Sequence, residues 1–226
     1  MHVRYREPDD VPDVIPVFPL TGALLLPRGQ LPLNIFEPRY LEMIDTALAS
    51  DRLIGMIQPK AALEGDNTAS PDERTALCGI GTAGRVTSFQ ETQDGRYLVT
   101  LTGIARFKIV NEVNANTPFR QCRIDTAPYS TDFVPRNGED TIDRSRFLKT
   151  FQAYLDANGL EADWDSVKQA GNEALVNALS MMCPYGPREK QALLEAEDLN
   201  KRAELLIAMT EMELAQGGDE TPTQLQ

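Results

Sequence analysis

Along this chain the period of the apolar residues changes once, and that change sets the fold class. Within residues 80–113 apolar and polar side chains alternate, the pattern of half-buried strands. After Asp143 apolar residues recur every three to four positions, the pattern of amphipathic helices. Strands gathered first and helices after make an α+β chain rather than an alternating βαβ one. The expected organisation is a β-rich lobe over residues 12–130, with one amphipathic helix near 40–50, followed by a helical bundle over 143–214. Residues 1–11 and 215–226 read as disordered termini.

Within the first lobe, VIPVFPL (14–20) is a short strand whose prolines suit an edge or a strand start. ALLL (23–26) continues in extended form until PRGQLP imposes a turn, and LNIF begins a second strand. From Tyr40 the spacing is helical, with Leu41, Ile44 and Leu48 on the expected buried face. LIGMIQP (53–59) is another strand, and EGDNTASPDERT (64–75) has the composition of a mobile loop. Two long alternating runs then meet at Gln93-Asp94-Gly95, where Asp-Gly tolerates the positive φ of a hairpin turn. Tyr97, Val99 and Leu101 fall on one face of the second run, Leu98 and Thr100 on the other, and residues 119–129 add one more strand.

In the helical part, Phe147, Phe151, Tyr154 and Leu155 form one stripe that stops at Asn158-Gly159. A single helix over 164–182 is expected to bury Trp164, Val167, Leu175, Leu179 and Met182. Another opens near Pro187, and a last one presents Leu199, Ala203, Leu206, Met209 and Met212 as its core face.

The inventory of reactive side chains is restrictive. His2 is the only histidine, so a Ser-His-acid arrangement has no interior base and multi-histidine metal sites are ruled out. Cys78, Cys122 and Cys183 are far apart, lie in no CxxC pair, and read as small buried hydrophobes. GIGTAG (79–84) satisfies G-x-G-x-x-G but is followed by an alternating strand instead of a helix, so its glycines read as bulges or close strand approaches. No GxxxxGK[ST] motif occurs, and neither serine–lysine nor paired-carboxylate spacing singles out a catalytic set. The net charge of -12 disfavours nucleic acid and anionic membrane as partners. No apolar run is long enough to span a bilayer, and the start lacks a signal-peptide layout, so a cytoplasmic protein without metal or cofactor is expected.

Two stretches of charge amid apolar residues read as structural clamps. Pro38 fixes a corner between strand and helix, bracketed by Glu37 and Arg39, and Arg106 sits within LTGIARF.

Taken together, PVFPLTGALLLPRGQLPLNIFEPRYLEMIDTAL, DRLIGMI, the GxG at 79–81, DGRYLVTLTGIARFKI and YGPREKQALLEAEDLNKRAELL resemble the N-terminal substrate-binding domain of Lon protease. They are more similar still to stand-alone bacterial proteins made of this domain alone. The resemblance implies a PUA-like pseudo-barrel lobe followed by a helical bundle, with no catalytic residues to carry over. It implies recognition of unfolded or tagged polypeptides, or of a separate protein complex, without ATPase or protease activity. The family pattern covers Pro19, Leu20, Pro27, Pro32, Phe36, Glu37, Pro38, Arg39 and Tyr40, with Gly103, Arg106 and Phe107, which are expected mostly to specify the fold; Pro32, Glu37, Pro38, Arg39, Gly103, Arg106 and Phe107 are the expected structural corner. A recognition surface should expose apolar side chains, and the candidates are Leu25, Leu33, Phe36, Tyr40 and Phe89. The alternatives are an RNA-associated PUA-like protein, which should carry a basic stripe, and a small-molecule hydrolase, which should carry a compact reactive pocket.

Overall fold

The structure, a computed structural model, describes residues 5–64 and 75–217. The loop expected over 64–75 and the outer parts of both expected disordered termini lie outside these residues. Of the rest, Pro8–Asp10 forms a 3₁₀ turn, and the last helix runs to Gly217.

The chain divides into two compact units. One holds the residues up to Pro135 together with Asn177–Glu195, and the other holds Arg136–Val176 together with the chain from Ala196 onward. A stretch expected in the helical bundle thus belongs with the β-rich part.

The β-rich unit contains β1 (Val14–Pro19), β2 (Gln30–Ile35), α1 (Pro38–Leu48), β3 (Leu53–Ile57), α2 (Lys60–Glu64), β4 (Ile80–Glu91), β5 (Tyr97–Val113) and β6 (Arg120–Asp125). A 3₁₀ segment follows at Ala127–Phe133. The strands form one mixed sheet in the order β2-β5-β4-β3-β1-β6. Among the described residues only the β1–β3 pair is parallel, and α1 lies within the connection between them, which is long enough for the crossover a parallel pair requires. The long β5 also pairs with β6 through Lys108–Val113. The expected pseudo-barrel is corrected here. The sheet is not closed over all its strands, because among the described residues β2 is hydrogen-bonded to β5 alone and keeps an open edge.

That edge is protected. Gly103 N–H donates to the Gly29 carbonyl at 2.9 Å, which sets the parity of the β2–β5 ladder. Leu31, Leu33 and Ile35 then bond to β5, while the main chain of Gln30, Pro32 and Asn34 faces outward. Pro32 removes the central outward donor, the usual way a sheet edge resists adding another strand.

Two core clusters flank the sheet. In the first, Met43 and Ile44 of α1 pack with Phe18, Ile54, Val86 and Leu101. The second centres on Phe107 with Ile15, Val17, Ala105 and Cys122. Successive residues of β3 alternate between the clusters, so that strand is buried on both faces. Phe107 fits because of glycine: a Cβ at Gly81 would lie 2.7 Å from its ring, and one at Gly55 3.0 Å. Of the GIGTAG glycines, Gly81 and Gly84 are close approaches, with a bulge between Ala83 and Gly84, whereas Gly79 has open space around it. The hairpin is as expected, with Gly95 at φ +77°.

Helix α1 starts at the expected corner. Glu37 is extended (φ −75°, ψ 132°) and Pro38 occupies the first helical position, where its missing N–H costs nothing. Its buried face is Tyr40, Met43, Ile44 and Ala47. Leu41 and Leu48, expected inside, are only half-buried, so the face is rotated toward the proline-fixed first turn.

The second unit holds a 3₁₀ turn at Glu139–Thr141, α3 (Arg144–Asn158), α4 (Trp164–Gln169), the start of α5 (Asn172–Met182) and α7 (Leu199–Gly217); α6 (Pro187–Glu195) belongs to the first. Asp143 caps α3 by accepting from Arg146 N–H at 3.0 Å, and Gly159 ends it at φ +62°. The single helix expected over 164–182 is two. Ala170 turns extended (ψ 141°), and Gly171 leaves room for the Glu139 carboxylate, which a Cβ there would meet at 3.1 Å. Met182 and Met212, expected in the core, are 78% and 62% exposed. Val176 and Ser180 on α5 and Ile207 on α7 are buried instead, while Leu206 is buried as expected.

Candidate functional site

The corner residues are tied to each other locally. Arg39 Nη2 lies 2.7 Å from Glu37 Oε2, and its guanidinium sits over the Tyr40 ring at 4.7 Å. Tyr40 itself is buried against Phe18, with ring centroids 4.3 Å apart. Burial pushes its phenol above the ordinary range, with Arg39 opposing.

Gly103 is where β5 meets the 26–29 turn. A Cβ there would lie 2.1 Å from the Leu26 carbonyl oxygen, while Arg28 N–H donates to the Gly103 carbonyl at 2.8 Å. Arg106 is buried and fully engaged. Its Nε and Nη2 each donate to Asp132 at 2.9 Å, Nη1 donates to the Leu194 carbonyl at 3.1 Å, and its guanidinium stacks on Tyr129. This joins β5, the 3₁₀ segment and α6 within the β-rich unit.

The five candidate binding residues are not brought together. Leu25 and Tyr40 are core residues, and Leu33 is half-buried against the first cluster. Phe36 and Phe89 are exposed, at 62% and 41%. The ladder separates even these two. Phe89 opposes Val99 and so shares its face, whereas Phe36 continues the opposite face through Asn34, which opposes Leu98. Sequence reasoning passed over Leu98, exposed at 42%, although alternation had already placed it on the face opposite Val99. It likewise passed over Tyr97, which packs edge-on to Phe89 at 4.9 Å. The β2–β5–β4 end therefore carries exposed apolar residues on both faces: Phe36 and Leu98 on one, and Phe89, packed on the half-buried Tyr97, on the other. Arg96 reaches over Phe36 at 5.9 Å and pairs with Asp94 at 3.0 Å.

Elsewhere the chemistry is quiet. Among the described residues no group of three or more His, Cys, Asp or Glu side chains is placed to hold a metal, and no helix is long and apolar enough to cross a membrane. Burial pushes the Cys78 and Cys122 thiols up to about 11. A polar cleft of about 460 Å³ in the second unit is lined by Arg136, Glu139, Arg144, Asn172 and Glu173 among others, with no hydroxyl, thiol or amine nucleophile. Glu139 is held below the ordinary carboxylate range by the hydrogen bond from Arg136, and Arg144 bonds Asn172 at 2.6 Å.

Residues 14–211 match the family model of the ATP-dependent protease La (LON) substrate-binding domain. The chain belongs to this Lon substrate-binding domain family. It is 27% identical over 205 residues to Lon protease 2 of Myxococcus xanthus, covering 89% of this chain and 24% of that protein. It is 26% identical over 205 residues to Lon protease of Anaeromyxobacter dehalogenans, with 89% and 23% covered. The chain thus spans about a quarter of the length of the curated relatives it matches. Two solved structures share the Lon N-terminal fold. A Lon N-terminal domain protein from Xanthomonas campestris matches with TM-score 0.58 at 18% identity, covering 86% of this chain and 97% of that one. The N-terminal domain of Lon protease from the Mycobacterium avium complex matches with TM-score 0.63 at 17% identity, covering 88% and 98%. The Lon substrate-binding match takes in β1 at its start and most of α7 at its end, so it includes both units.

Proposed function

We propose that this Lon-type domain is a non-catalytic polypeptide-recognition module with a PUA-like β-rich part, and that the apolar end of β2, β5 and β4 is its contact surface. The observation that carries the reading is the match of residues 14–211 to a substrate-binding domain. The exposed Phe36, Phe89 and Leu98 give that reading a place on the molecule, since unfolded chains differ from folded ones in offering apolar side chains. Tyr40 and Leu25 are buried and form no part of the proposed surface. The RNA and hydrolase alternatives have less behind them. Arg39, Arg106 and Arg120 are engaged in ion pairs within the protein, and the polar cleft offers no nucleophile.

The test is a titration of one fluorescently labelled protein in two states, folded and permanently unfolded by reduction and carboxymethylation, read by anisotropy. Saturable binding of the unfolded form alone is expected. Equal binding of both forms, or of neither, overturns the proposal.

A further inference from the structure

The face of the sheet carrying Phe89 has a charge pattern of its own. Glu91 opposes Tyr97 and Phe89 opposes Val99 with no register shift between them, so Glu91, Phe89 and Tyr97 share one face. Across from them, Leu41, Asp45 and Leu48 lie four and three residues apart along α1, one stripe of that helix. The Tyr97 hydroxyl reaches Asp45 Oδ2 at 3.5 Å, and Leu41, Leu48 and Tyr97 all pack at the margin of the first core cluster. The result is an aromatic and aliphatic rim bearing two exposed carboxylates, Asp45 and Glu91. Among the described residues neither has an ion-pair partner. The Tyr97 phenol is pushed up by burial, then by Asp45, then by Glu91, and no cation opposes them. Arg96, the nearest basic residue in sequence, is committed to Asp94 and to Phe36.

An aromatic ring beside unpaired carboxylates is complementary to one kind of side chain, a cation on an aliphatic stem. The stem packs on the apolar rim, the charge meets the carboxylates, and the ring adds cation–π attraction. We propose that the rim of Phe89, Tyr97, Asp45 and Glu91 seats a Lys or Arg projecting from an apolar stretch of polypeptide. This rests on the recognition reading above and names the class of segment preferred.

The experiment compares three unstructured peptides of equal length and apolar content, carrying lysines, acetyl-lysines or glutamates at the same positions. Binding is read by anisotropy to the unaltered protein and to the double variant Asp45→Asn/Glu91→Gln, both checked for folding by circular dichroism. The lysine peptide should bind ~5-fold or more tightly than the acetyl-lysine peptide, with the glutamate peptide weakest. The preference should shrink as salt is raised and vanish in the double variant, while acetyl-lysine peptide affinity stays unchanged. Equal affinity of the lysine and acetyl-lysine peptides, or a preference that survives in the double variant, overturns the inference and leaves the recognition reading standing. Failure of all three peptides to bind the unaltered protein overturns both.

Discussion

Arg106 and Asp132 meet in a buried two-point ion pair, with Nε to Oδ2 and Nη2 to Oδ1 both at 2.9 Å, although 26 residues separate them. The Arg106 main-chain N–H also donates to Asp132 at 2.9 Å, so the carboxylate is held by one residue from two directions. Two buried charges stabilise little as a pair, but removing one strands the other. Arg106→Met should therefore cost about 3–5 kcal/mol in urea denaturation followed by circular dichroism, and Arg106→Met/Asp132→Leu should recover part of the loss. A single variant as stable as the unaltered protein would contradict the role assigned to the pair.

Gly103 tests the packing of β5 on the 26–29 turn. The methyl of Gly103→Ala has backbone, the Leu26 carbonyl, only 2.1 Å away, so the turn must move. The expected loss is at or above the upper end of the ~1–3 kcal/mol typical of overpacking. Gly22→Ala, at φ +72° with nothing within 4 Å, should cost only about 1 kcal/mol from backbone strain. Similar losses at both sites would contradict the close approach.

The buried thiols give a pH dependence. Burial moves Cys78 and Cys122 from an ordinary 9.0 up to about 11, with Glu195 and Glu112 adding to the shift. Each folded-state value lies above the unfolded one, so the native state holds the proton longer. Their stabilisation is complete below about pH 9 and is lost as pH rises from 9 toward 11. Stability against urea should fall across that window, less steeply in Cys78→Ala/Cys122→Ala. Both thiols should resist a disulfide reagent at pH 8 until the protein is unfolded.

Pro32 guards the open edge of β2. Pro32→Thr supplies an outward N–H at the centre of the strand, and sedimentation velocity should show concentration-dependent association beyond that of the unaltered protein. Unchanged sedimentation across a wide concentration range would argue that the edge needs no such guard.

How far these features are legible in the sequence depends on the range of the interaction. The hairpin at Gly95, the Val99 and Leu101 face, the corner at Pro38 and the caps at Asp143 and Gly159 follow from local periodicity and turn chemistry. Asp132 as the partner of Arg106 does not, because nothing nearby in sequence marks it. The break at Ala170 was hidden because apolar spacing persists across it, and the Glu139 carboxylate that packs beside Gly171 lies far away in sequence. Met182 lies between the buried Ser180 and Cys183 but points off the packed side, and Met212 falls past Thr210, the last buried residue of its helix among the described residues. Leu25 and Phe36 look equally apolar in sequence, yet one is core and the other surface, a difference that only the neighbouring strands create.

The β2–β5–β4 end is proposed to recognise unfolded polypeptide. The most direct test is the affinity of one labelled, permanently unfolded protein for the unaltered chain and for Phe36→Ser/Phe89→Ser/Leu98→Ser, whose three sites are exposed and whose folding is verified by circular dichroism. At least a ~10-fold loss of affinity is expected, with native secondary structure retained. Undiminished binding by the folded triple variant would contradict the proposal and move the recognition surface elsewhere.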